Sequence, residues 1–184
     1  MDFTIKEGLS KESMEQLIEY ANDLNDKEVQ GTSDPKRFKD RRSIEKWQAK
    51  GRFIYTIEKD SKLLGIFWFG KSVFDLDAEI PVAKHQYTFA GRLYGELRGK
   101  GQFKTILSEV FKLFVNSSNY DGTGFWGESR HGGMVKICTK LGFKQIGKEI
   151  YDINSINKTN SWENPQYILI ATDKEIREGL KSIT

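Results

Sequence analysis

The stretch YTFAGRLYGELRGKGQFKTILSEVFKLF, from Tyr87 to Phe114, decides the reading of this chain. Its first part, Tyr87 to Tyr94, is rich in aromatic residues and predicts a strand. A basic glycine-containing turn follows, from Gly95 through Arg98, Gly99 and Lys100 to Gly101. Beyond it Phe103, Ile106, Leu107, Val110, Phe111 and Phe114 fall at the i, i+3, i+4, i+7 spacing of one buried helical face. A strand that runs through a glycine turn into a helix start leaves backbone N–H groups unpaired. Together with the helix dipole they favour phosphate. Arg98, Lys100 and Lys104 add positive charge at the same place.

Working outward, the 184 residues are enough for one domain with a real core. An apolar share of 38% and a charged share of 30% fit an ordinary soluble protein. No apolar run is long enough for a membrane span, and the start lacks the apolar stretch of a signal peptide. A single cysteine, Cys138, excludes an internal disulfide framework and fits a reducing, cytoplasmic setting. One cysteine and two distant histidines make no usual zinc set, so no metal is expected. The net charge of +3 is too mild to argue for nucleic acid.

Before the central stretch, Phe3 to Ile5 reads as a strand. A helix capped by Ser10 follows, with Met14, Leu17, Ile18, Ala21 and Leu24 on one face. Residues 25 to 32 read as a polar loop. Ser33, Asp34 and Pro35 start a second helix that runs to Gly51, with Phe38, Ile44 and Trp47 as its apolar face. Its other face carries Lys36, Arg37, Lys39, Arg41 and Arg42. We read that face as solvated and balanced by Asp40 and Glu45, with an anion-binding surface as the alternative. A hairpin turns at Lys59 to Lys62 between a strand from Phe53 and an apolar strand, Leu63 to Phe69. Residues 71 to 85 are irregular.

After the central helix, residues 124 to 127 form a short strand. A helix with Met134, Ile137, Cys138 and Leu141 on one face comes next. Phe143 to Tyr151 is a strand, 152 to 165 a polar loop, and Tyr167 to Ala171 an apolar strand. The order is strand, two helices, three strands, helix, strand, helix, two strands. It predicts an α/β (α+β) fold: a mixed central sheet of six to seven strands with helices on both faces.

The segment Leu93 to Phe103 resembles the GNAT superfamily of acyl-CoA-dependent N-acyltransferases. That family carries Arg/Gln-x-x-Gly-x-Gly/Ala on the loop that holds the CoA pyrophosphate. Arg98 matches the first position and Gly101 the second; Phe103 stands where the family has Gly or Ala. A second resemblance runs from His131 to Phe143, against Asn-x-x-Ala-x-x-x-Tyr-x-x-x-Gly-Phe. Gly142 and Phe143 match its close, His131 replaces the Asn and Cys138 the Tyr. The element order is similar to the family's over nearly the whole chain.

The resemblance implies one GNAT-like domain over residues 1–184, a mostly antiparallel sheet, and acetyl transfer from acetyl-CoA to a primary amine. It implies a cofactor site at Leu93, Arg98, Gly99, Lys100, Gly101, Phe103, Lys104 and His131. The amine must lose its proton before attacking the thioester, and Glu128, at the end of a strand bordering the acceptor side, is the first candidate base. Glu79, Asp77 and Glu96 follow it. The alternative for Glu128 is a solvated loop carboxylate, and for His131 a helix-start loop residue. A backbone N–H of the fourth strand, with Leu93 as candidate, polarises the carbonyl. Cys138 takes the position of the family's acid, but a thiol is a weak donor, and a small buried thiol is the plainer reading. Tyr94 and Tyr120 are alternative acids, and Trp162 either covers the acceptor site or anchors its loop. The expected partner is a small-molecule or peptide amine, with no membrane; a homodimer stays open. Rival readings are a non-catalytic acyl-CoA-binding or regulatory module, and a GNAT-type enzyme that modifies a protein or RNA.

Overall fold

The computed structural model describes residues 3–72, 86–129, 132–149 and 166–183. Seven strands form one mixed sheet in the order β1-β2-β3-β4-β5-β7-β6. They are β1 (Thr4–Glu7), β2 (Arg52–Lys59), β3 (Lys62–Ser72), β4 (Gln86–Leu93), β5 (Phe125–Ser129), β6 (Lys144–Glu149) and β7 (Gln166–Ala171). Pairing is antiparallel for β1/β2, β2/β3, β5/β7 and β6/β7, and parallel for β4/β5. The helices are α1 (Lys11–Asn22), α2 (Lys27–Gln30), α3 (Asp34–Arg37), α4 (Arg41–Gln48), α5 (Phe103–Val115), α6 (Gly132–Lys140) and α7 (Asp173–Ser182). No helix among the described residues is long and apolar enough to cross a membrane.

The chain divides into two compact units, Met1–Lys71 with Ala90–Val110, and Ser72–Phe89 with Phe111–Thr184. In the first unit, Ser10 caps α1 by accepting from the Ser13 N–H at 3.0 Å. Leu17 and Ala21 of that helix pack with Val29, Phe38, Ile44, Trp47, Ile54, Ile66 and Trp68. Phe38 meets Trp47 and Trp68 edge-on, at 5.0 and 6.2 Å between ring centres. On the other face of the strands Phe67 packs on Phe103 of α5, 5.4 Å apart. A Cβ on Gly91 would collide with three carbons of the Phe67 ring, so the close packing at that strand position favours glycine.

Three local expectations differ from the structure. Residues 25 to 32 are not all loop: Asp26 caps the single turn α2, accepting from the Val29 N–H at 3.1 Å, and Val29 is fully buried. Leu24 lies past the end of α1 and is 71% exposed. The expected helix from Ser33 to Gly51 is two helices. Ser33 makes no side-chain cap bond, α3 closes at Phe38, and Asp40 restarts the chain as α4 by accepting from the Ser43 N–H at 2.7 Å.

In the second unit an aromatic core joins Tyr87, Phe89, Phe111, Phe114, Tyr120, Phe125 and Phe143. One helix here was not expected. Thr172 and Glu175 form a capping box that starts α7, which buries Ile176 and Leu180.

Candidate functional site

All the turn residues of the expected coenzyme site lie in the first unit. Strand β4 leads through Tyr94 into one turn of 3-10 helix at Gly95–Leu97, then Arg98, Gly99, Lys100 and Gly101, and α5 begins at Phe103. Gly99 and Gly101 hold φ of 73° and 71°, the left-handed region that glycine adopts without strain. Among the described residues, chain neighbours aside, no atom lies within 4 Å of where a Cβ would stand on either, so the turn presents bare backbone. The first N–H groups of α5 have no partner within the helix and form the positive end of its dipole. Beside them, Gln102 Oε1 is buried with no hydrogen-bond partner among the described residues. Lys100 and Lys104 make no ion pair among the described residues. A backbone turn of this kind, with two cations, fits a pyrophosphate.

Arg98 has protein partners. Its Nη2 lies 2.8 Å from Asp26 Oδ2, and its Nη1 lies 3.6 Å from Glu28. Its Nε donates to the Leu93 carbonyl at 3.4 Å, so the guanidinium ties the end of β4 to the cap of α2. The hydrogen bond from Arg98 holds the Asp26 carboxyl below its usual range.

Leu93 is buried, with its side chain against Gly65. The next residue, Tyr94, donates its N–H to the Leu64 carbonyl of β3 at 2.8 Å. N–H directions alternate along a strand, so the Leu93 N–H points away from β3. That is the orientation a carbonyl-polarising donor needs. Phe103 turns its ring onto Phe67, as expected of a residue that begins the apolar stripe, and its position in the first turn of α5 leaves its N–H at the helix start.

Tyr94 is buried, and desolvation pushes its hydroxyl far above the usual range. That hydroxyl donates to Asp34 Oδ2 at 3.4 Å, so its proton is already committed. Glu96 is exposed on the 3-10 turn.

In the second unit Glu128 lies on β5, with its backbone opposite Ile168 of β7. Cys138 is fully buried on α6, and burial pushes its thiol up to about 12. A buried thiol so hard to ionise behaves as a small hydrophobe. The Tyr120 hydroxyl accepts from the Gly124 N–H at 3.1 Å, and burial raises its pKa above the ordinary value. His131, Asp77, Glu79 and Trp162 lie outside the described residues.

The expected solvated basic face also needs correction. Arg37 is only partly exposed: its guanidinium carbon stands 4.9 Å from the centre of the Trp68 ring, and desolvation lowers its pKa. It also lies 3.5 Å from Asp34, which is 1% exposed. Arg92, unremarked in the sequence, pairs with the same carboxylate at 2.6 Å. A charged residue between Gly91 and Leu93 in a strand otherwise rich in aromatic groups was the signal for it.

No family model matches the sequence, and no curated protein matches it. Solved structures do match over nearly the full length. One is the spermidine N-acetyltransferase of Vibrio cholerae in complex with CoA and spermine. It is 12% identical, with a TM-score of 0.66 over 96% of this chain and 98% of that one. A second is an aminoglycoside acetyltransferase in complex with coenzyme A, 14% identical, with a TM-score of 0.61 over 95% and 98%. A third is an aminoglycoside N(6')acetyltransferase from Legionella pneumophila, 13% identical, with a TM-score of 0.57 over 97% and 96%. With its mixed seven-stranded sheet and a glycine turn feeding α5, the chain has the fold of the GNAT superfamily of N-acetyltransferases.

Proposed function

We propose that residues 1–184 act as one N-acetyltransferase domain, moving an acetyl group from acetyl-CoA to a primary amine. The observation that carries this reading is the open backbone turn Gly99–Gly101 between the end of β4 and α5, in a chain whose structural neighbours hold coenzyme A. Acetyl-CoA supplies the acyl group. The turn from Arg98 to Lys104 would hold its phosphates through backbone N–H groups, Lys100 and Lys104. The Leu93 N–H, directed away from β3, would donate to the thioester oxygen, where negative charge grows as the amine nitrogen bonds to carbon. The C–S bond then breaks and the thiolate takes a proton.

Glu128 is our candidate for the base that removes the ammonium proton before attack. His131 is our candidate for a further CoA contact. Cys138 remains the candidate acid by position, but burial, which raises its thiol to about 12, makes it a weak one, and the plainer reading is a small packed hydrophobe. Protonation of the leaving thiolate then falls to another group or to water. The same buried thiol favours a second reading, a domain that binds acyl-CoA without turnover. A reducing, cytoplasmic setting fits the lone cysteine, and the reading needs neither a membrane nor a nucleic acid.

Turnover of acetyl-CoA with a panel of amines, read as free CoA thiol, separates the two. Gly101→Asp puts a carboxylate and a strained backbone at the phosphate turn, so acetyl-CoA binding by calorimetry is expected to vanish. Glu128→Gln is expected to lower turnover by roughly 100-fold with acetyl-CoA affinity kept. Unchanged binding in the first variant refutes the site. Tight binding by the wild type with no CoA released from any amine leaves the binding-module reading in place.

A further inference from the structure

Neighbouring side chains on a strand point to opposite faces, so Arg92 projects from the face of β4 opposite Leu93. On that face it meets Asp34 of α3, with Nε 2.6 Å from Oδ2. Arg37 approaches the other carboxylate oxygen at 3.5 Å, with its guanidinium over Trp68. A third arginine, Arg52, starts β2 directly opposite Gly70 of β3. Its guanidinium packs against that glycine, where a Cβ would collide with it. Arg52 Nε is buried and has no hydrogen-bond partner among the described residues. The positive charges of Arg52 and Arg92 both reach Arg37.

Among the described residues the charge count does not balance. Two guanidinium groups, of Arg92 and Arg37, flank the Asp34 carboxylate, which also accepts from the Tyr94 hydroxyl, and the third, of Arg52, acts on Arg37. Burial pushes the Asp34 carboxyl upward, so if it takes a proton the positive surplus only grows. Like charges held together out of water are costly unless an anion joins them. The cluster is also reachable, because the side chains of Arg37 and Arg92 remain 28% and 25% exposed. A planar guanidinium fork pairs with carboxylate or phosphate through two parallel N–H bonds. Arg92 adjoins Leu93, whose N–H faces the proposed thioester, so an anion held here is carried by the molecule that receives the acetyl group.

We propose that Arg37, Arg52 and Arg92 form an oxyanion site that takes a carboxylate or phosphate borne by the amine acceptor. The inference rests on the acetyl-transfer reading and narrows its substrate class to amines that also carry an anion. Polycationic amines are disfavoured, since the site repels them.

Matched amines test it. Acetyl transfer is compared between 4-aminobutyrate and n-butylamine, between phosphoethanolamine and ethanolamine, and with spermidine. The anionic member of at least one pair is expected to show kcat/KM about tenfold or more above its neutral partner. The first pair reports a carboxylate and the second a phosphate. Arg52→Gln is expected to erase the preference through KM, with kcat little changed, and Arg52→Lys to keep part of it. Equal rates within both pairs, or spermidine as the best acceptor, overturn the proposal, and this comparison needs only the wild type. If acetyl-CoA binds but no amine is acetylated, the transfer reading falls, and calorimetry with inorganic phosphate judges the site alone. Binding that is lost in Arg52→Gln upholds an anion site; absence of binding to wild type refutes it.

Discussion

Replacing Gly91 with alanine is the sharpest test of how β4 is held beside the phosphate turn. A Cβ at this position would collide with the ring of Phe67, with Cγ at 2.8 Å and two further ring carbons closer still. Phe67 is 1% exposed and packed on Phe103, so the ring has no free space to swing into. Either the ring shifts or β4 moves away from β3. Overpacking of a filled core costs about 1–3 kcal/mol. For a chain of this size each kcal/mol lowers Tm by about 2–4 °C, so a drop of about 2–12 °C is expected. Thermal unfolding of Gly91→Ala, followed by circular dichroism, measures it. The same change in a Phe67→Leu background separates the ring from other causes. The smaller side chain gives way, and the two costs are expected to differ by about 0.5–3 kcal/mol, as for groups in contact. An unchanged Tm, or an equal loss in both backgrounds, refutes the packing argument.

Other outcomes follow from burial and caps. Cys138 is buried with its thiol raised to about 12, so a thiol reagent is expected to leave the native protein unlabelled at pH 8 and to label it fully in urea. Cys138→Ala is expected to keep most of the turnover. Burial raises the Glu58 carboxyl, but bonds from Lys6, Ser13 and Thr56 outweigh this and leave it below its ordinary value of 4.5. A carboxylate depressed by folding stabilises the fold above its unfolded pKa and loses that contribution as pH falls through the folded one. Glu58→Gln is therefore expected to flatten the fall in Tm below pH 4.5, and a profile matching wild type there counts against the network. Thr172→Ala removes the cap of α7 and is expected to cost about 1 kcal/mol, read as a shift in the urea midpoint.

The elements most legible in the sequence were those with a period and a punctuation mark. The stripe from Phe103 to Phe114 and the glycine turn before it specify α5 with no help from the rest of the chain. The hairpin at Asp60 and Ser61 was legible for the same reason, though neither residue is glycine and both hold positive φ. Helix α7 carried an equally local signal, Thr172 and Glu175 before Ile176 and Leu180, and was overlooked. Helix α2 offered less, since a single turn with one buried residue has no periodicity to detect. The break at Asp40 is a competition between a side chain that caps and a backbone that continues, and composition alone does not decide it. The arginine cluster was hidden for a different reason. Asp34 reads locally as a helix cap, and its partner Tyr94 lies 60 positions away, so only the folded chain reveals the shared carboxylate.

Strand β7 lies between β5 and β6 in the sheet, although it follows both in the chain. During synthesis β5 therefore emerges with one edge bare, and β6 emerges with no neighbour to join. Neither can settle until the ribosome has delivered the residues from Gln166 to Ala171, which pair with both at once. Contacts so distant along the chain form slowly. While the edge of β5 waits, it is an unpaired strand edge of the kind that can pair with another chain.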